Sequence, residues 1–224
     1  MISYTLIRSR RKTVAIYVRG GEVEVRAPLR ISQREINRFV SEKEQWILKI
    51  CTRQTAQAEK KESFAVDYGS CIFFRGKQCE ITRYDGQRAR FFEEVFCMPP
   101  NFMPHQIKSA CVQIYKTLAK KYISERVAFF AAQMGVTPSA VKINSAMKRW
   151  GSCSARKSLN FSWRLIMADD CVIDYVVIHE LTHLKEMNHS ARFWAIVESV
   201  LPDFRERKIK LRELQNRLSD ENWE

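Results

Sequence analysis

The chain has 224 residues, of which 46% are hydrophobic and 28% are charged, and its formal net charge is +13. This composition is typical of a soluble globular protein with one large domain or two small ones. The sequence holds no apolar run of the roughly 18 residues that a transmembrane helix needs, and its N-terminus lacks the order of a secretory signal peptide.

The cysteines argue against an exported protein held together by disulfides. There are seven of them, an odd number, and no two form a C-x-x-C pair. This usage fits neither a disulfide framework nor a zinc site made of cysteine alone. We therefore expect reduced thiols, a cytoplasmic location and no membrane partner.

The chain begins with signals for a β-hairpin and a helix. Apolar and polar residues alternate on both sides of Gly20-Gly21, which predicts two strands joined by a tight turn. Ser32 and Glu35 have the spacing of a capping box. Apolar residues then recur at intervals of three and four, which predicts a helix over about 32–53.

Weaker signals divide the rest of the chain. Residues 52–63 are polar and aperiodic, which favours a surface connector. Two or three short strands are predicted between residues 71 and 97, and the proline-containing stretch 99–104 then interrupts the pattern. We expect a β-rich part with one helix over 1–103 and a catalytic part over 104–224.

The predicted catalytic part contains helices around a small sheet. A helix is predicted over 105–134 and ends at Gly135. The segments "VKINS" and "LNFSWRLIM" flank a turn that contains glycine and serine, which favours an antiparallel pair. A helix over 171–186 follows, and an amphipathic helix closes the chain, so the fold class is α+β.

The segment "HELTH" carries the strongest chemical signal. His179 and His183 are four residues apart, so a helix presents both imidazoles on one face. Glu180 is displaced by about 100° around the axis, where its carboxylate reaches a zinc-bound water rather than the metal. The pattern predicts two zinc ligands and a general base. A motif this short also occurs by chance in ordinary amphipathic helices.

A catalytic zinc needs a third protein ligand, and two candidates exist. His189 follows His179 by ten residues, the offset of the last histidine in the H-E-x-x-H-x-x-G-x-x-H pattern. Here Glu186 replaces the glycine, and Asn188 is expected to make the turn in a left-handed conformation instead. The alternative is Glu198, on the next predicted helix. We favour His189.

Several motifs together resemble the YgjP-like metallopeptidase domain family, which is related to the SprT-like and WLM-type zincins. They are "RWGSC" at 149–153, "LN" and "RL" within 159–165, "DYVVIHELTHL" at 174–184 and "NHSARFW" at 188–194. The resemblance covers nearly the whole chain. It implies a zincin-like catalytic domain, Zn²⁺, the ligands His179, His183 and His189, and Glu180 as the general base.

The resemblance leaves the substrate open. Residues 141–168 contain basic residues and no acidic one. Arg149, Asn160 and Arg164 are candidates for substrate binding, and Cys153 is a weaker candidate for a further zinc ligand. The leading hypothesis is a zinc-dependent peptidase with a polypeptide substrate.

Two other functions are compatible with the charge pattern. The first is a metal-dependent nucleotide phosphohydrolase of the pyrophosphatase type, whose phosphates would bind the stretch 141–168. The second is a protease associated with nucleic acid, because basic residues are in excess over residues 1–60. The sequence does not predict an oligomeric state.

Overall fold

The computed structural model of the chain describes residues 2–223 and has an α+β fold, as predicted. The chain divides into two compact units. Unit 1 contains the residues up to Phe64 together with Leu218–Asn222, and unit 2 contains Ala65–Arg217 and Trp223. The division predicted between residues 103 and 104 lies inside unit 2. Whether residues 104–224 fold without residues 1–103 stays a prediction.

Unit 1 is a small sheet with two helices. Its elements are β1 (Thr5–Ser9), β2 (Ala15–Arg19), β3 (Glu22–Pro28), α1 (Gln33–Glu42) and α2 (Glu44–Ser63). The strand order is β1-β3-β2, with β1 parallel and β2 antiparallel to β3. Alternate residues of β3 are buried against the apolar face of α1, which forms the core of this unit.

In unit 1 the predicted turn and capping box are confirmed, but the one helix predicted over 32–53 is two helices, α1 and α2, that meet at Lys43. Gly20 and Gly21 have φ values of 59° and 83° in the β2–β3 turn, a conformation that glycine adopts without strain. Ser32 caps α1 in a capping box with Glu35. The stretch 52–63 continues α2 instead of forming a connector. It is rich in alanine, glutamine, glutamate and lysine, whose helix propensity is high even without an amphipathic pattern.

Unit 2 begins with four short strands and a long helix. They are β4 (Cys71–Phe74), β5 (Lys77–Arg83), β6 (Arg90–Phe92), β7 (Val95–Met98) and α3 (Pro104–Met134). The strand order is β4-β5-β7-β6. As predicted, α3 ends at Gly135, which has a left-handed φ of 62°.

A second sheet of unit 2 corrects one prediction. Its strands are β8 (Ala140–Asn144), β9 (Gly151–Cys153) and β10 (Ser158–Ser162), in the order β8-β10-β9. The predicted antiparallel pairing of the two flanking segments is wrong, because β8 is parallel to β10. The intervening glycine- and serine-containing stretch forms β9, which takes the antiparallel side of β10. Trp163–Met167 then forms a buried 3₁₀ turn rather than a continuation of the strand.

Three helices complete unit 2. They are α4 (Asp170–Thr182), α5 (Ala191–Val200) and α6 (Phe204–Leu218). Helix α4 ends four residues earlier than predicted and is buried on most of its surface. Among the described residues, no helix is both long enough and apolar enough to cross a membrane.

Two ion pairs hold the N-terminal half of α4. Arg126 of α3 donates to both carboxylate oxygens of Asp174, at 2.7 and 2.9 Å. Arg75, in the β4–β5 turn, donates through Nε to Asp170 Oδ1 at 2.7 Å. The position of the histidines at the other end of α4 is therefore fixed by contacts with two neighbouring elements.

Candidate metal centre

His179, His183 and His189 converge at the C-terminal end of α4. His179 lies in the last turn of this helix and His183 is its C-cap residue. Together with His189, they offer ligand atoms that all lie within 4.8 Å of one another. The Nε2 atoms of His179 and His189 are 3.0 Å apart. Two nitrogen ligands of a tetrahedral zinc are about 3.3 Å apart, so the cluster has the dimensions of a metal site.

A tight turn brings His189 back to the helix. The backbone N–H of Glu186 donates to the carbonyl of Thr182 at 2.9 Å, which closes the turn after α4. Ser190 then caps α5 and accepts a hydrogen bond from the N–H of Phe193. The predicted left-handed conformation of Asn188 is wrong, since Asn188 is not among the described residues with positive φ. The turn needs no glycine because its residues remain in ordinary conformations.

Aromatic residues of α5 support the imidazoles. The Phe193 side chain is fully buried, and its ring centroid lies 4.7 to 4.9 Å from those of all three histidines. Trp194 stacks on His189 with a centroid separation of 5.9 Å. These contacts restrict the rotation of the rings, so the cluster is preorganised.

The surroundings favour the unprotonated form of two of these histidines, His179 and His183. Burial, together with the charges of the neighbouring histidines, lowers the pKa of His179 to about 3. Burial also lowers the pKa of His183. The Nδ1 atom of His183 lies 3.2 Å from the carbonyl oxygen of Glu186, which can only accept a hydrogen bond. Nδ1 therefore carries the proton, and the lone pair of Nε2 is free for a metal.

Glu180 is a buried carboxylate next to this cluster. Its exposure is 5%, and Oε2 has no hydrogen-bond partner within the described residues. Burial raises the pKa of Glu180 to about 7. An unpartnered buried carboxylate is costly, so its presence here calls for a chemical role.

Gly151 of β9 makes the space for this carboxylate. A Cβ atom at Gly151 would lie 2.5 Å from both Cγ and Oε1 of Glu180, which is well below a normal contact distance. A pocket of about 230 Å³ opens beside the two residues. Its lining consists of Trp150, Gly151, Tyr175, Val176, His179, Glu180 and Leu211.

The substrate-binding roles of Arg149, Asn160 and Arg164 stay predictions. None of the three is among the described residues that line this pocket. Arg149 is exposed, and Asn160 lies in the central strand β10, opposite Lys142 and Ser152. Arg164 is 7% exposed, donates to the carbonyl of Ser145 at 3.0 Å and packs over the Trp163 ring.

The other candidate ligands lie outside the histidine cluster. Glu198 is paired with Arg205 at 2.6 Å. Cys153 is half-buried, and burial raises the pKa of its thiol, with a further contribution from the charge of Glu180. Neither belongs to the group of residues that could hold a metal.

None of the basic residues in the run 141–168 is among the described residues that line the histidine pocket. Lys142 faces a separate groove of about 530 Å³ together with Lys116 and Lys120 of α3. Among the described residues, no basic side chain at the metal centre therefore supports the nucleotide or the nucleic-acid hypothesis.

Sequence reasoning missed several residues that line the site, among them Gly151 and Leu211. Gly151 was visible as the glycine of "RWGSC", but its contact with Glu180 depends on the packing of β9 against α4. Leu211 carries no sequence signal, because it is one apolar residue of an amphipathic helix.

Histidines clustered beside a buried carboxylate are the arrangement of a metal-dependent hydrolase. Comparison with protein families agrees with this class, since residues 12–214 match the model described as "YgjP-like, metallopeptidase domain". The chain belongs to this family. It is therefore a metallopeptidase, and the family implies a polypeptide substrate.

Two solved structures resemble part of the chain. One is the metallopeptidase zymogen abylysin of Pyrococcus abyssi, with 22% identity over 45% of this chain and 97% of that chain, and a TM-score of 0.38. The other is the metallopeptidase zymogen jannalysin of Methanocaldococcus jannaschii, with 20% identity over 41% of this chain and 94% of that chain, and a TM-score of 0.37. At these TM-scores neither structure defines the fold of this chain. A search of curated proteins finds no match.

Proposed function

We propose that the chain is a zinc-dependent peptidase in which His179, His183 and His189 hold the metal and Glu180 is the general base. One observation supports this most strongly. The ligand atoms of the three histidines lie within 4.8 Å of one another, and the unpartnered carboxylate of Glu180 adjoins them in the same pocket.

The donor set suits zinc. Three imidazole nitrogens leave a fourth coordination position open, as in catalytic zinc sites. The lowered pKa values of His179 and His183 keep both rings neutral at pH 7, so no proton has to be displaced before binding. His189 completes the set from the turn between α4 and α5.

When bound, zinc supplies Lewis acidity, which lowers the pKa of water and polarises a carbonyl group. Glu180 accepts the proton of the attacking water at Oε2, the oxygen that has no other partner. A pKa of about 7 also allows the protonated carboxyl to donate to the leaving amine. Trp150, Tyr175 and Leu211 line the pocket beside this carboxylate.

The test combines metal analysis with a peptidase assay. We expect about one zinc per chain in the wild-type protein and loss of zinc in His179→Ala. Glu180→Gln should retain zinc but lose turnover of unfolded casein by a factor of about 100 to 10,000. Glu206→Gln is the matched control, because it neutralises an exposed glutamate of α6 that lies outside the histidine cluster and outside the pocket lining, and it should keep both zinc and activity.

Two results would contradict the proposal. Wild-type turnover in Glu180→Gln would remove the general base. Loss of zinc in Glu198→Gln, with zinc retained in His189→Ala, would move the third ligand to Glu198.

A further inference from the structure

A second groove adjoins the metal centre between α5 and α6. Its volume is about 490 Å³. Its lining consists of Trp194, Phe204, Arg205, Lys208, Ile209 and Arg212. Apolar groups and cations line it together, and no acidic residue belongs to the lining.

Stacked rings connect this groove to the histidines. Trp194 lies against His189 at a centroid distance of 5.9 Å and against Phe204 at 5.4 Å, with interplanar angles of 28° and 17°. An extended peptide covers these two successive spacings with about three residues. The groove is therefore within reach of a substrate whose scissile bond lies at the metal.

The cations of the groove are available to a ligand. Lys208 and Arg212 are four residues apart on α6 and so share one face of the helix. Within residues 2–223, neither has a carboxylate partner, whereas Arg205 is already paired with Glu198. The ammonium of Lys208 lies 5.1 Å from the centroid of the Trp194 ring, at the end of the groove nearest the histidines.

We propose that this groove is a substrate subsite that binds a peptide carboxylate about three residues from the cleaved bond. Arg212 and Lys208 would contact the carboxylate, and Trp194 and Ile209 would contact the apolar part of the same substrate segment. The inference rests on the proposed peptidase function and adds a preference for acidic substrates. The carboxylate belongs either to an aspartate or glutamate side chain or to the end of the peptide, because both present the same group.

Binding of fluorescent peptides distinguishes these sources. The probes are octapeptides of three kinds. In the first kind the C-terminus is amidated and a single glutamate is placed at successive positions of a glutamine sequence. The second is the amidated all-glutamine peptide, which is neutral, and the third is the all-glutamine peptide with a free C-terminus. Affinities are measured by fluorescence anisotropy with zinc-loaded Glu180→Gln, which binds without turnover. We expect at least one carboxylate-bearing peptide to bind about fivefold more tightly than the neutral one, and the preference to fall with added salt.

Arg212→Glu should abolish this preference, while Lys210→Glu should retain it. Lys210 is an exposed lysine of the same helix that lines a different pocket, so the control makes a similar charge change outside the groove. Lys208→Gln is a second test that avoids charge reversal, and thermal melting checks that each variant is folded.

Equal affinity for all the peptides would overturn the subsite. A preference that survives both Arg212→Glu and Lys208→Gln, or that is lost equally in Lys210→Glu, would also overturn it. Wild-type cleavage of the same peptides is scored separately. Absence of cleavage refutes the peptidase proposal, whereas cleavage without a carboxylate preference refutes only the subsite.

Discussion

Replacing Gly151 by alanine tests whether the close approach of β9 positions the Glu180 carboxylate. The new Cβ atom would lie 2.5 Å from Cγ and Oε1 of Glu180. Normal contact between such atoms begins near 3.5 Å, so the carboxylate would have to move by about 1 Å. Strand β9 cannot easily retreat instead, because Gly151 pairs with the buried Phe161 of β10.

The expected cost is catalytic rather than structural. A shift of about 1 Å in a reacting group lowers the rate about 100-fold, which is about 2.7 kcal/mol of transition-state stabilisation. We expect kcat/KM for a peptide substrate to fall by this factor in Gly151→Ala. Zinc content should remain unchanged, because the predicted collision is with Glu180 and not with a histidine.

Two further variants make the test specific. Gly135→Ala strains a left-handed residue at the end of α3 but meets nothing within 4 Å, so it should cost about 1 kcal/mol of stability and no activity. Glu180→Ala removes both Cγ and Oε1, the two atoms that the new Cβ would meet. Gly151→Ala should therefore cause no further loss of activity in the Glu180→Ala background. Wild-type kcat/KM in Gly151→Ala, or loss of zinc together with activity, would refute this account of Gly151.

Three other predictions concern stability. Asp174→Ala leaves the half-buried guanidinium of Arg126 without its bidentate partner. Urea denaturation should then show a decrease of about 2 kcal/mol in the free energy of unfolding. An unchanged midpoint would contradict the role of this pair. Ser32→Ala removes the α1 cap and should cost about 1 kcal/mol by the same assay, whereas Ser32→Gly should cost less. The hydrogen bond from Arg75 lowers the pKa of the Asp170 carboxyl in the folded state. The ion pair therefore stabilises the fold fully above the unfolded-state pKa of about 3.9, and this stabilisation is lost as the pH falls through the lower folded-state pKa. The stability difference between wild type and Asp170→Asn should therefore narrow between pH 5 and pH 2, and a difference independent of pH would contradict the linkage.

Local sequence signals predicted the features that depend on neighbouring residues. The turn at Gly20-Gly21, the cap at Ser32 and the end of α3 at Gly135 each rest on the conformational preferences of a few consecutive residues. The spacing of His179 and His183 is equally local, because a helix places residues four apart on one face.

The features that were missed depend on tertiary contacts. The parallel pairing of β8 with β10 depends on where β9 inserts, and the sequence around the turn does not encode that choice. Arg164 is a substrate-binding candidate in the sequence, and only the folded chain shows that packing over Trp163 buries it. The contact of Gly151 with Glu180 joins residues that only the folded chain brings together.

The lysines around β8 also affect how the molecule meets other copies of itself. β8 is an edge strand of its sheet, and an unpaired edge can add a strand from another chain. A second copy that paired through the same strand would bring its Lys142, flanked by Lys116 and Lys120, against the identical charges of the first. Like charges held at close range oppose such pairing, and lysine on an edge strand is a common defence against it. The positive charge of this groove thus opposes pairing of β8 with the same strand of a second copy at physiological ionic strength. High salt should weaken this repulsion.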